Sequence, residues 1–280
     1  MKITFRKILS KQTYFIAEIG VNHNGNMVLA KKMILEAKKA GANAVKFQTF
    51  KAQTLVSPRT PKVKYQKSTT NRKESHYDMI KFLELSEKNH YILRNFCKKK
   101  KIDFLSTPYD LESAKFLNKI GCKVFKTASA DIVDLELHTY LAKNKKKVII
   151  STGMSNFREI DECINLYRRY SNKNFILLHC VSNYPCSLDS LNLSIIPKIQ
   201  KKYNCCVGYS DHSVGSDAAV LSFGLGARVI EKHFTTNKNL RGPDHKASSL
   251  PHEFKEIVAK IRLAETIMGR AIKKCQREEM

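Results

Sequence analysis

The stretch YFIAEIGVNHNGNMVLAKKMILEAKKAGANAVKFQTF, Tyr14 to Phe50, holds in one unit the pattern that decides the fold. Tyr14–Gly20 is a brief apolar run, as expected of a strand buried on both faces. Met27–Ala40 places Val28, Leu29, Met33, Ile34 and Ala37 on one stripe at helical spacing, and Gly41 stops it. Ala44–Phe50 is again short and apolar. The unit is strand, helix, strand, and no GxGxxG follows its first strand, which counts against a dinucleotide fold.

The alternation continues along the chain. Further strands are predicted at Asp103–Pro108, Lys123–Ser129, Val148–Gly153, Phe175–Val181, Cys206–His212 and Val229–Phe234. Helices are predicted at Leu111–Ile120, Asp134–Asn144, Phe157–Tyr170, Leu191–Tyr203, Ser216–Leu225 and His252–Met268. Eight strands, seven of them followed by a predicted helix, give an α/β chain whose simplest architecture is a single-domain (β/α)8 TIM barrel. An open doubly wound sheet is the alternative, because periodicity does not prove closure. The 280 residues suit one barrel of roughly 250 residues. Residues 13–270 are assigned to it, 1–12 to an N-terminal extension and 271–280 to a tail. One connection breaks the rhythm: Lys51 to Ser75 is long, polar and basic, and is either a lid over a substrate or a plain surface insertion.

Composition narrows the classes. Hydrophobic residues make up 42% and charged residues 27%, too apolar for a disordered chain. The longest mostly apolar stretch, Asp217 to Ile230, is broken by Ser222, Gly224 and Gly226 and falls short of the roughly 20 residues a membrane span needs. The N-terminal MKITFRKILSKQTYF lacks the continuous apolar core of a signal peptide. Eight cysteines without a CxxC pair read as reduced, mostly buried thiols of a cytoplasmic protein. The formal charge of +25 is spread along the chain rather than gathered in one arm. Runs such as Lys98 to Lys101 and Lys145 to Lys147 fall where helices end, where cations are favourable. Solvated helix faces account for the charge best, ahead of steering of an anionic substrate or nucleic-acid binding; neither a nucleic acid nor a membrane is expected as partner.

Polar residues inside buried strands need a reason, and here they gather late in each strand. Glu18 ends the first, with Asn22 and His23 beyond; Lys46 and Gln48 lie on the second, Thr107 on the third. Lys126 and Ser129 end the fourth, with Asp131 following; Ser151 and Thr152 end the fifth. His179, Ser182 and Tyr184 end or follow the sixth, Ser210, Asp211 and His212 the seventh, and Glu231, Lys232 and His233 occupy the eighth. In a barrel these ends meet on the face where barrel enzymes place their chemistry. Buried Lys46 and Lys126 with hydroxyls around them suit an anion carrying many oxygens; a Schiff-base lysine and structural ion pairs are the competing uses. His212 and His233 end neighbouring strands and suit a divalent transition metal, with Glu231 a further ligand or a group behind it. In RGPDHKASS, Arg241 to Ser249, Asp244 and His245 are placed to bond a polyol, or Asp244 merely caps a turn.

The segments AEIGVNHNG (17–25), GANAVKFQTF (41–50), FLSTPYD (104–110), STGMS (151–155), HCVSNYP (179–185), GYSDHSVG (208–215), VIEKHF (229–234) and GPDHKAS (242–248) together resemble the sialic acid synthase family: the N-acetylneuraminate, legionaminate and pseudaminate synthases. The resemblance runs from about residue 13 to the end. It implies a metal-dependent condensation of phosphoenolpyruvate (PEP) with the open-chain aldehyde of an N-acylated hexose, N-acetylmannosamine or a diacetamido hexose, giving a nine-carbon 2-keto acid and phosphate. By motif, His212 and His233 resemble the metal ligands, for Mn2+ in first place and Mg2+ or Co2+ otherwise. Lys46, Thr107, Lys126, Ser129, Ser151, Ser182 and Ser210 resemble the PEP contacts; Glu18, Gln48, Asp131, Tyr184 and Asp244 resemble the sugar and proton-handling groups. Three departures from the family pattern stand out. Asp131 lies in KTASAD where neuraminate synthases often carry Glu, which hints at a different or diacetamido hexose. Ser182 stands where many members have Asn. The chain stops at Met280, whereas the family adds a small antifreeze-like domain: either a separately encoded antifreeze-like domain supplies it as partner, or the sugar site is incomplete, or the protein is a truncated form, and a homodimer is the family habit. The alternatives are another PEP-dependent 2-keto-3-deoxy sugar acid synthase, or a barrel that is incomplete without a partner domain.

Overall fold

The computed structural model describes residues 8, 12–57, 59–62, 64–71, 74–269, 271–275 and 277–280. Most of the expected N-terminal extension, and parts of the Lys51–Ser75 connection and of the tail, lie outside the described residues. The elements run β1 (Tyr14–Gly20), α1 (Met27–Lys39), β2 (Ala44–Thr49), α2 (Ala52–Leu55), α3 (Lys64–Thr69), α4 (His76–Leu83), α5 (Glu87–Lys100), β3 (Asp103–Pro108), α6 (Leu111–Lys119), β4 (Val124–Thr127) and α7 (Leu135–Lys143). They continue with β5 (Lys147–Ser151), α8 (Phe157–Arg169), β6 (Phe175–Cys180), α9 (Ile195–Tyr203), β7 (Val207–Asp211), α10 (Asp217–Gly224), β8 (Val229–His233) and α11 (Pro251–Met268).

All ladders are parallel, in the order β3-β2-β1-β8-β7-β6-β5-β4. The outer members β3 and β4 lie against each other and bring the sheet round into a near-closed barrel. The open doubly wound alternative is thereby set aside. No helix among the described residues is long and apolar enough to cross a membrane.

The strand period of two divides the core in two. Outward residues Phe15, Ala17, Ile19, Val45, Phe47, Phe125 and Ile230 pack under the helices. Inward residues Ile8, Tyr14, Ile16, Ala44, Leu105, Val124, Ile149, Ile176, Leu178 and Val229 fill the base of the barrel. Above that plug the same inward positions turn polar: Glu18 follows Ile16, Lys46 follows Ala44, Lys126 follows Val124, Ser151 follows Ile149 and Glu231 follows Val229.

Several sequence expectations need correction. The stripe on α1 buries Ala30, Met33, Ile34 and Ala37, whereas Val28 is exposed because it sits beside the cap, Asn26, whose side chain accepts from Val28 N and Leu29 N. The helix α5, capped by Ser86, had no place in the sequence reading, since its polar Glu87–His90 start hides the stripe of His90, Leu93 and Cys97. The Lys51–Ser75 connection, left open as a lid or a plain surface insertion, contains α2 and α3. The helix expected from Leu191 starts at Ile195.

Gly208 on β7 faces the plug, where a Cβ would lie 2.3 Å from Val229 O and 2.5 Å from Leu178 Cδ2. Backbone on one side cannot yield, so Gly208→Ala is expected to destabilise the fold by about 3 kcal/mol, read as a lowered urea midpoint with unchanged m-value.

Candidate functional site

At the C-terminal end of the barrel the polar inward side chains enclose a cavity of about 210 Å³. Lys46 Nζ lies 2.6 Å from Glu18 Oε2 and donates to Thr107 Oγ1 at 3.0 Å. Gln48 Nε2 donates to the other Glu18 oxygen at 3.2 Å. Across the bowl Lys126 Nζ donates to Ser151 Oγ at 2.6 Å and to Thr127 O at 2.9 Å. Glu231 Oε1 stands between the two ammonium groups, 3.9 Å from Lys46 and 3.7 Å from Lys126, and accepts from Ser210 Oγ at 3.2 Å.

Burial governs the charge state of this cluster. It pushes Glu18 up to about 7, against the opposing pull of Lys46 and with help from the Glu231 charge. Burial would raise Glu231 too, but Lys126 and Lys46 outweigh it and hold that carboxylate below its usual range. Lys126 is lowered by burial, while Lys46, despite burial, is raised by Glu18 and Glu231. Asp244, on the same cavity, is pushed up to about 6 by burial.

His212 and His233 converge, with ring centroids 5.5 Å apart, and Tyr184 packs 4.0 Å from the first and 5.4 Å from the second. His212 Nδ1 lies 2.7 Å from Val181 O. A carbonyl only accepts, so that nitrogen carries the proton and Nε2 is left as the ligating atom. His233 Nδ1 is buried without a hydrogen-bond partner, and burial together with the His212 charge holds this imidazole far below its ordinary pKa, neutral and ready to ligate. Among the described residues no third His, Cys, Asp or Glu joins them in a metal-holding group. The donor set fits a divalent metal with most positions open to substrate and water, and does not fit a closed structural site.

A family model described as the NeuB family matches residues 33–273. The chain belongs to the NeuB family. It is 45% identical to the N,N'-diacetyllegionaminic acid synthase of Campylobacter jejuni serotype O:2, covering 96% of this chain and 81% of that protein. It is 43% identical to the N,N'-diacetyllegionaminic acid synthase of Legionella pneumophila, covering 97% and 77%. Among solved structures, the N-acetylneuraminic acid synthetase of Leptospira borgpetersenii in complex with citrate superposes with a TM-score of 0.86 at 34% identity, covering 96% of this chain and 89% of that one.

In this NeuB family barrel twelve of the fourteen site residues expected from sequence line the one cavity. Asp131 and Ser182 do not. Asp131 Oδ2 accepts from Ala128 N at 2.9 Å and so closes the turn beginning at Ala130; burial pushes its carboxyl up to about 6. Ser182 and Ser129 both crowd Gly153, where a Cβ would come within 2.6 Å of Ser182 Oγ and 2.7 Å of Ser129 Oγ. His245 turns away from the bowl to Thr235 Oγ1 at 2.7 Å, and His179 faces outward, stacked on Tyr209. Asn22 ties the end of β1 to Phe234 O and Ser248 Oγ.

Sequence reading missed Cys180, whose thiol lines the cavity 3.7 Å from His212 Nδ1. Its inward register, two residues beyond Leu178, was the available signal. The Lys51–Ser75 connection does reach the site: Leu55 and Gln66 line the cavity. Buried Lys62 holds it there by donating to Thr70 Oγ1, Asn71 O and Glu74 Oε2, and Gly242 N donates to Thr69 O at 3.3 Å.

Glu18 binds its proton more tightly folded than unfolded, so between about pH 4.5 and 7 it costs stability increasingly as pH rises. The stability of the wild type relative to Glu18→Gln is expected to fall across that window and to level off above it, measured by urea unfolding at stepped pH. Glu231→Gln, which leaves the buried ammonium of Lys126 without a carboxylate partner, is expected to cost about 3–5 kcal/mol in the same assay.

Proposed function

We propose that this chain is a nonulosonic acid synthase, condensing PEP with the aldehyde of an N-acylated hexose to give a nine-carbon 2-keto acid and phosphate. The observation that carries the reading is the pair Lys46 and Lys126, each within 4 Å of one Glu231 oxygen, in the same cavity as His212 and His233. NeuB family membership and the high identity to two N,N'-diacetyllegionaminic acid synthases support it, and favour a diacetamido hexose as acceptor.

PEP brings a carboxylate and a phosphate on three carbons. The two lysines supply the compensating charge, and Thr107, Ser129, Ser151 and Ser210 supply hydroxyl donors around them. The acceptor lies toward Gln48, Tyr184 and Asp244. A divalent metal on His212 and His233, Mn2+ in first place, would supply Lewis-acid polarisation of the acceptor's aldehyde oxygen. Carbon 3 of PEP attacks the aldehyde carbon, water adds at carbon 2, and the tetrahedral adduct expels phosphate. Glu18, held near neutrality in its pKa, is suited to take the proton of that water and return one to the new hydroxyl. Glu18 and Asp244 line the cavity and are the proton-handling groups nearest the substrate, with buried Asp131 within reach of the Lys126 and Lys46 charges. The buried thiols, with no disulfide among them, suit a reducing cytoplasm.

The test is phosphate release from PEP with Mn2+ and a panel of free and phosphorylated acylated hexoses. The expected result is turnover with a free diacetamido or acetamido hexose, abolished by EDTA and restored by Mn2+. Lys126→Ala and His212→Ala are each expected to lower kcat/KM by about 10²-fold or more. Turnover with phosphorylated aldoses alone, or full activity of His212→Ala in EDTA, would contradict the proposal.

A further inference from the structure

The end of the barrel opposite the cavity carries a charge pattern that the reaction does not use. Because every strand is parallel, all helix-to-strand connections emerge at that end. Six that are consecutive around the barrel, residues 38–44, 98–103, 119–124, 143–147, 168–175 and 201–207, hold seventeen of the 50 Lys and Arg and one of the 25 acids. That acid, Asp103, is buried and accepts from Tyr14 Oη at 2.7 Å, so it does not neutralise the surface. Acids concentrate at the other end, in the first turns of helices: Asp78, Glu112, Glu136, Glu159 and Asp217.

Helix dipoles favour a cation in the last turn, and the effect fades beyond it. They do not account for Lys145, Lys146 and Lys147, which follow the end of α7 at Lys143. Nor do ion pairs: among the described residues, only Lys39 with Glu36 and Lys202 with Asp161 are paired within these segments. Neighbouring connections crowd like charges, and Lys146 is lowered by burial and by the charge of Lys123.

We infer that this end of the barrel is a docking face for the surface of an anionic lipid bilayer. The cations sit on the last turns of helices and on the connections that follow them, around the ring at one end of the barrel, which meets a plane better than it meets a rod. No large hydrophobic side chain is exposed in these segments, so the contact is electrostatic and reversible rather than inserted. The same absence of exposed aromatics leaves no platform for stacking nucleic-acid bases. Such a contact needs no spanning helix, and it would hold the cavity facing away from the membrane.

The test is flotation of the full chain with vesicles of neutral phosphatidylcholine, with and without phosphatidylglycerol, at low and high salt. A variant combining Lys98→Gln, Lys99→Gln, Lys119→Gln and Lys143→Gln is compared with a control combining Lys32→Gln, Lys88→Gln, Lys198→Gln and Lys255→Gln. The expected result is binding to anionic vesicles only, lost at high salt, weakened at least about tenfold in the first variant and retained in the control. Circular dichroism and PEP turnover are expected to be unchanged in both. Equal binding to neutral vesicles, equal loss in the control, or displacement from vesicles by stoichiometric single-stranded RNA would overturn the proposal.

Discussion

Lys46 and Lys126 each bring an ammonium group to within 4 Å of the same oxygen of Glu231, at 3.9 and 3.7 Å, in a part of the barrel where all three side chains are buried. Two cations and one central carboxylate, with Glu18 raised toward neutrality by burial, leave the bowl with a positive surplus. Buried charge of one sign is expensive unless something compensates it. A small, multiply charged anion is the natural complement, and the hydroxyls of Thr107 and Ser151 already accept from the two ammonium groups that would hold it. The two imidazoles line the same cavity, His233 as the last residue of β8 and His212 directly after the end of the neighbouring strand β7.

The architecture was readable because the strand period and the burial requirement act together. Most inward files begin with an apolar residue that plugs the base and end with a polar one, as in Ala44, Lys46, Gln48 and Val229, Glu231, His233. Five of the eight strands have their predicted N-terminal residue and all eight their predicted position in the chain, so the site residues fell on the correct face. What escaped was whatever depends on loops. Asp131 and His245 lie beyond strand ends, where period no longer fixes direction, and each is claimed by a local hydrogen bond. The helix α5 was hidden by a polar, cap-rich start, and the packing of Gln66 over the cavity rests on the burial of Lys62, one cation among fifty in the sequence.

The same directionality separates two tasks along the barrel axis. Strand C-termini and helix N-termini carry the acids, the imidazoles and the cavity; strand N-termini and helix C-termini carry a nearly unbroken set of lysines and arginines. A parallel barrel enforces that separation, so charge placed on one end leaves the chemistry at the other undisturbed.

The most direct measurement is the phosphorus resonance of PEP in the presence of Mn2+ and the protein. If one bowl holds both the imidazole pair and the anion, the protein should bring the paramagnetic ion beside the phosphate and broaden that resonance beyond the effect of free Mn2+. The extra broadening should vanish both in the double variant His212→Ala, His233→Ala and in Lys46→Met, Lys126→Met. Broadening that is unchanged in either double variant would show that the two pairs do not serve one small ligand.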